Sequence, residues 1–107
     1  MAPATFHILV ALADRDRHGY AIMQDVAART DGQLKLSPGT LYGTIKRLLG
    51  EGLIEELDER PDPEQDDTRR RYYRITRAGR AAAIDESTRL ARMLAQARAS
   101  GLAPRRS

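Results

Sequence analysis

The residues best suited to chemistry lie in one segment of this 107-residue chain, between Ser37 and Gly50, and that chemistry is contact with a polyanion. Ser37 is a residue type that caps the free N–H groups of a helix, and Pro38 suits the first helical position. Apolar residues then recur at helical spacing and predict one buried stripe: Leu41, Ile45, Leu48 and Leu49. The opposite side carries small or basic residues: Gly39, Gly43, Lys46, Arg47 and Gly50. A thin, positively charged helix surface favours binding in a DNA groove.

Several side chains of this helix have predicted DNA contacts, each with an alternative. Ser37 and Thr40 can bond phosphate oxygens together with first-turn N–H groups, although Ser37 could serve as a helix cap alone. Tyr42 flanks the apolar stripe, so it packs inward and donates its hydroxyl to a phosphate, or only packs. Lys46 and Arg47 are the predicted groove and phosphate contacts, and the alternative is that they are ordinary solvated cations on the helix surface. Arg47 lies nearer the edge of the face and could instead pair with Glu51 at i+4.

The glycines of this face limit how bases can be read. Gly39 and Gly43 have no side chain, so direct readout depends on Thr40, Lys46 and Arg47. We therefore expect operator spacing and DNA shape to matter as much as base contacts. The alternative for Gly43 is that it permits close packing of two helices.

Two further helices precede this segment. The first is predicted over Pro3–Asp14, with an apolar face made of Phe6, Leu9, Val10 and Ala13 and widened by Ile8 and Leu12. Residues 14–19 are polar and contain a glycine, which predicts a turn. The second helix runs from about Tyr20 to Thr30, and Gly32 suits its end. Its predicted inner face consists of Ile22, Met23, Val26 and Ala27. Tyr20 is predicted to lie in the core, and the alternative is a hydrogen bond to a phosphate.

After Gly52 the pattern changes to that of strands. Residues 53–57 predict one strand and residues 69–76 a second, with an acidic loop over 60–68 between them. Thr76 is the predicted cap of a last helix, Arg77–Ala99, which Gly101 ends. The chain is therefore predicted to be mainly α (α+β): a winged helix-turn-helix with a two-stranded wing and a C-terminal dimerisation helix. The predicted divisions are a DNA-binding domain over 1–76, a dimerisation helix over 77–100 and a flexible basic tail over 101–107.

The strongest basic run lies at the base of the wing and consists of Arg69, Arg70 and Arg71. Beside a hairpin, such a run suits phosphate or minor-groove contact. The alternative is that the same arginines neutralise the acidic wing tip, which we expect to point away from the duplex. That tip contains Asp58, Glu59, Asp62, Glu64, Asp66 and Asp67. Tyr72 and Tyr73 are predicted to pack in the core and on the strand surface.

The last helix has a mixed apolar stripe that so small a domain cannot bury entirely. Its predicted dimer contacts, joined by Phe6 of the first helix, are Ile84, Leu90, Ala91, Met93 and Leu94. A homodimer would bury this stripe and place two recognition helices about one helical turn of DNA apart.

Composition excludes several classes of protein. There is no cysteine, hence no disulfide framework and no thiolate metal site. His7 and His18 have no partner at metal-ligand spacing, and His18 is predicted to close the turn before the second helix. No nucleophile–base set, glycine-rich phosphate loop or isolated carboxylate pair suggests an enzyme, and no cofactor is expected. The first apolar run is too short for a secretory signal or a membrane span, so we expect a soluble cytoplasmic protein.

Four passages resemble PadR-type transcriptional regulators: His18-Gly19-Tyr20, Leu36 to Tyr42, Arg47-Leu48 with Gly52-Leu53-Ile54, and Arg71 to Gly79. The resemblance covers about residues 6–94. It implies a homodimeric repressor whose last helix packs against a partner subunit, often with the first helix. It also implies a possible aromatic or lipophilic small-molecule effector near the dimer interface. This chain has no tryptophan, a residue that some members use to line an effector pocket.

A second hypothesis is a winged-helix module for protein–protein interaction that lacks specific DNA binding. The acidic wing tip and the glycine-rich face favour it slightly, because neither attracts nucleic acid strongly.

Overall fold

The computed structural model describes residues 1–57 and 71–104, and within them it forms four helices and a small antiparallel sheet. In chain order the elements are α1 (Pro3–Asp14), β1 (Arg17–His18), α2 (Gly19–Arg29), α3 (Pro38–Gly50), β2 (Ile54–Leu57), β3 (Tyr72–Ile75) and α4 (Arg77–Ala99). The predicted bounds of α1 and α4 are confirmed. The predicted loop over 60–68, the acidic tip, Arg69, Arg70 and residues 105–107 lie outside the described residues.

The sheet has three strands in the order β1-β3-β2, where a two-stranded wing was predicted. Tyr73 of β3 is the Cα partner of Arg17 on one side and of Glu56 on the other. Residues 14–19 were predicted to form a turn, and this was wrong for Arg17 and His18, which form β1. A strand of two residues is too short to show an alternating apolar pattern in the sequence. β1 becomes a strand only by pairing with a segment that follows it by more than 50 residues.

The core lies between the helices and one face of the sheet. The predicted apolar stripe of α3 is confirmed: Leu41, Ile45 and Leu48 are buried and Leu49 is half-buried. On β3, Tyr73 and Ile75 are buried as well. Burial raises the pKa of the Tyr73 hydroxyl, and the nearby Glu56 carboxylate raises it further.

The prediction for α1 needs a correction. Its buried residues are Thr5, Ile8, Leu9, Ala11 and Leu12. Phe6 and Val10 are half-buried and Ala13 is exposed, although all three were placed on the main apolar face. Both sides of α1 are apolar, so periodicity alone could not select one. The packing of α1 against α2, α3, α4 and β3 selects the side that is buried.

Helix ends follow the predicted caps and stops. The Ser37 Oγ accepts a hydrogen bond from the Thr40 N–H at 3.2 Å, and the Thr76 Oγ1 accepts one from the Gly79 N–H at 3.0 Å. His18 closes the approach to α2 by accepting the Ala21 N–H on Nδ1 at 3.1 Å. At the other end of α2, Gly32 has a φ of +78° and donates to the Ala27 carbonyl at 2.7 Å.

Candidate nucleic-acid interface

The outward side of α3 is open surface in the described part of the chain. Gly39, Gly43 and Lys46 are exposed, and a β-carbon built on either glycine meets no atom within 4 Å. No described segment therefore packs against Gly43, which removes the predicted alternative of helix packing within this chain. The result is a shallow surface whose one extended side chain is a cation. We call Gly39, Gly43 and Lys46 the glycine–lysine face.

The first turn of α3 carries two exposed hydroxyls. The Ser37 Oγ accepts from the Thr40 N–H and lies 3.0 Å from the Thr40 Oγ1. The capping role of Ser37 is thus confirmed. Pro38 has no N–H, so the Gly39 N–H is the exposed donor of this turn that the cap leaves over. Hydroxyls and a helix-start N–H on one surface are the groups that bind phosphate oxygens.

Tyr42 of α3 lies against Gly19, the first residue of α2. A β-carbon on Gly19 would lie 2.6 Å from the Tyr42 hydroxyl oxygen, so the end of the tyrosine ring packs closely against Gly19. Tyr42 is 52% exposed, so the inward packing predicted for it is not seen, and its ring contacts the surface at Gly19 instead. Phosphate contact by its hydroxyl stays a prediction.

Tyr20, predicted as a core residue, is 59% exposed. The core side of α2 is formed by Ile22 and Val26, which are fully buried. Tyr20 precedes this stripe by two residues, about 200° around the helix, so it faces solvent.

Arg47 turns away from the glycine–lysine face. Its guanidinium donates a hydrogen bond to the hydroxyl oxygen of Thr5, on α1. The ion pair with Glu51 that its spacing allows does not form between these two described residues. Whether Arg47 also contacts DNA stays a prediction.

At the base of the wing, the one described arginine of the basic run has an acidic partner on the adjacent strand. The Arg71 Nε lies 3.4 Å from a Glu56 carboxylate oxygen. Both side chains are exposed, and pairs of this kind are weak and exchange readily with other anions. Arg71 therefore remains available to a phosphate.

Glu86 is a charged residue that the sequence did not single out. It lies on α4, is only 7% exposed, and accepts two hydrogen bonds from Arg89, at 2.8 and 2.5 Å. The amino group of Met1 lies 3.6 Å from the same carboxylate. The hydrogen bonds from Arg89 hold the pKa of Glu86 below its ordinary range. The i, i+3 spacing of Glu86 and Arg89 was a usable signal for the pair, although not for its burial.

Most of the predicted dimer contacts are exposed in the single chain. Ile84 is 64% exposed, and Leu90, Ala91, Met93 and Leu94 are also exposed, whereas Phe6 on α1 is half-buried. Beyond its first turns α4 therefore presents unpartnered apolar side chains. A single helix seldom leaves so many large apolar residues in water without a partner.

The sequence of this chain matches a known protein family. The model of the transcriptional regulator PadR-like family matches residues 8–85, which include α2, α3, the described strands and the start of α4. The chain belongs to the PadR-like family.

Relatives of this PadR-like chain include a transcriptional regulator of Mycobacterium tuberculosis. The two are 36% identical over 85 residues, which are 79% of this chain and 73% of that protein. An uncharacterized protein of Lysinibacillus sphaericus is 35% identical over 74 residues, 69% of this chain but only 65% of its own length.

Solved structures give the same fold. A PadR family transcription regulator from Clostridium difficile has a TM-score of 0.74 at 24% identity, covering 95% of this chain and 100% of its own. A transcriptional regulator from Clostridium thermocellum has a TM-score of 0.72 at 28% identity, covering 84% and 82%. The mainly helical winged-helix prediction is thereby confirmed. Within residues 1–57 and 71–104, none of the helices of the PadR-like chain has the length and apolar composition of a membrane span.

Proposed function

We propose that this PadR-like protein is a dimeric repressor of transcription that binds a palindromic operator in double-stranded DNA. The observation that carries the proposal is the glycine–lysine face, an open, thin, cationic surface on a helix whose start is capped by Ser37. A surface of this shape can approach the floor of a major groove more closely than a helix with ordinary side chains.

In the proposed complex each part of the interface has its own role. The hydroxyls of Ser37 and Thr40 and the Gly39 N–H bind a phosphate at the start of α3, and the Tyr42 hydroxyl binds a neighbouring one. Lys46 supplies the charged contact in the groove. Arg71 supports the duplex from the wing base, together with the other two arginines of the predicted run, Arg69 and Arg70.

Dimerisation supplies the two-fold symmetry that a palindrome requires. We assign residues 1–76 to DNA binding, 77–100 to the dimer helix and 101–107 to a basic tail. The exposed apolar residues of α4 pack against a second copy, together with Phe6 of α1. Two copies of α3 then enter successive major grooves, about 34 Å apart. A small-molecule effector, if the protein has one, would bind at this interface.

Fluorescence anisotropy tests the proposal. A duplex selected by the wild-type protein from a random pool is the probe, and affinity is measured at several salt concentrations. We expect steep loss of affinity with salt, since phosphate neutralisation dominates binding. Lys46→Ala should weaken binding about tenfold or more, whereas Arg92→Ala, a loss of one positive charge on the exposed part of α4, should not.

Two outcomes contradict the proposal in different ways. Wild-type affinity in Lys46→Ala would reject the glycine–lysine face as the interface. Failure of the wild-type protein to select any sequence would favour the protein–protein interaction module instead. Arg47 gives that alternative some support, because its guanidinium is hydrogen-bonded to Thr5. Lys46 is then the one cation of α3 without a partner among the described residues, and the helix offers less positive charge to DNA.

A further inference from the structure

Arg47 and Thr5 join two helices that are 42 positions apart in the sequence. We propose that Arg47 is a positioning residue, which fixes the orientation of α3 relative to α1, and through α1 relative to the dimer interface, and so sets the half-site spacing that the protein accepts. This inference rests on the proposed function of α3 as the DNA-binding helix.

The Thr5 side of the contact is buried. Thr5 is only 4% exposed, and its hydroxyl accepts the hydrogen bond from Arg47. A buried hydroxyl that loses its partner is unfavourable, so the bond has a strong preference to persist. The Arg47 side is exposed, so the guanidinium can return to water when the bond breaks.

The rest of the α3 packing is apolar and has little directionality. Leu41, Ile45 and Leu48 fill the core from one side of α3, and such contacts tolerate small rotations and shifts. Within residues 1–57 and 71–104, the bond to Thr5 is the side-chain hydrogen bond that connects α3 to another element. It therefore adds a directional restraint on the rotation of α3 about its axis, beyond the side that the apolar contacts already bury.

Through α1, the orientation of α3 affects the distance between the two half-sites that the dimer can bind. Thr5 is followed directly by Phe6, which we assign to the dimer interface. A bond from α3 to this turn of α1 therefore ties the DNA-binding helix of each subunit to the two-fold axis. Loss of the bond should loosen the distance and angle between the two copies of α3, and not remove a DNA contact.

The experiment compares four single variants and one double variant on the selected duplex. The single variants are Thr5→Val, Thr5→Ser, Arg47→Gln and Lys46→Gln, and the double variant combines Thr5→Val with Arg47→Gln. Thr5→Val keeps the side-chain shape and removes the acceptor, while Thr5→Ser keeps the hydroxyl. If Arg47 is a positioning residue, Thr5→Val and Arg47→Gln each weaken binding about fivefold, as expected for one net hydrogen bond. The double variant should bind no more weakly than either single variant, because both remove the same hydrogen bond. Thr5→Ser should bind as the wild type does.

Two readouts separate positioning from phosphate contact. The salt dependence should be unchanged in Thr5→Val and Arg47→Gln, whereas Lys46→Gln should lower its slope by about 0.9 for each phosphate that is no longer neutralised. The wild-type protein should also discriminate more strongly than Thr5→Val against duplexes whose half-sites are moved one or two base pairs apart. Circular dichroism confirms that each variant is folded, and Arg47→Gln with its surface position gives a result even if Thr5→Val does not fold.

The outcomes are distinct. If Arg47→Gln lowers the salt slope and Thr5→Val binds as the wild type does, Arg47 is a phosphate contact and the inference is overturned. Equal spacing discrimination in Thr5→Val and the wild type also overturns it. If the wild-type protein selects no duplex, the proposed function fails first, and the positioning role fails with it.

Discussion

Gly79 lies so close to Leu53 that a β-carbon on the glycine would be 2.0 Å from the Leu53 carbonyl oxygen. The start of α4 is thereby seated directly on the backbone that leads into β2. The contact is reinforced by Thr76, whose N–H donates to the same carbonyl at 3.1 Å. Gly79 is therefore required for this packing of α4, because the hydrogen bond from Thr76 holds the start of the helix against the same backbone.

Gly79→Ala should lower the free energy of unfolding by roughly 2 kcal/mol or more, since the clash is with backbone and not with a flexible side chain. Urea denaturation followed by circular dichroism measures this. Gly50→Ala is the matched control, because a β-carbon there meets nothing within 4 Å. Equal stability of the two variants would contradict the close packing.

Gly43→Ala should separate folding from DNA binding. Alanine removes the helix penalty of glycine, so the free energy of unfolding should rise by up to about 1 kcal/mol. The added methyl group thickens the glycine–lysine face, so affinity for the selected duplex should fall. Thermal unfolding and anisotropy on the same preparation measure the two effects. A more stable variant with unchanged affinity would show that the thin face is not in the groove.

Glu86→Gln should destabilise the protein at neutral pH and have little effect in acid. The pKa of Glu86 is lowered in the folded state by its hydrogen bonds from Arg89, so the ionised form is favoured by folding. Its contribution to stability is therefore fully present above the unfolded pKa, about 4.3, and is lost as the pH falls through the folded pKa. Urea denaturation of both proteins between pH 7 and pH 3 should show their difference shrinking. A difference that is constant over this range would rule out the ionic contribution.

Leu94→Asp should weaken the proposed dimer. Leu94 is one of the exposed apolar residues of α4, and a carboxylate there would have to be desolvated in the interface. Light scattering coupled to size exclusion should show a shift towards monomer at micromolar concentration. Arg92→Asp, at an exposed polar position of the same helix, should leave the measured mass of the assembly unchanged. A monomeric wild-type protein would reject the two-fold assembly itself.

Local sequence signals determined the helices. The caps at Ser37 and Thr76, the proline at Pro38 and the stops at Gly32 and Gly101 act on backbone groups within a few residues, so their effect can be predicted without the rest of the chain. The apolar spacing of α3 likewise has one outcome, because its other side is glycine and lysine. The open surface of α3 follows from the same pattern.

Contacts between distant segments decided the remainder. β1 exists only through its pairing with β3, and the buried side of α1 depends on which of its two apolar sides the other elements cover. The bond from Arg47 to Thr5 and the close approach of Gly79 to Leu53 join residues that are far apart in the sequence. The burial of Glu86 likewise depends on its three-dimensional surroundings and not on local sequence. Helix ends depend on short-range hydrogen bonds and periodicity, whereas side-chain partners depend on the complete three-dimensional packing, and for that reason only the tertiary structure revealed them.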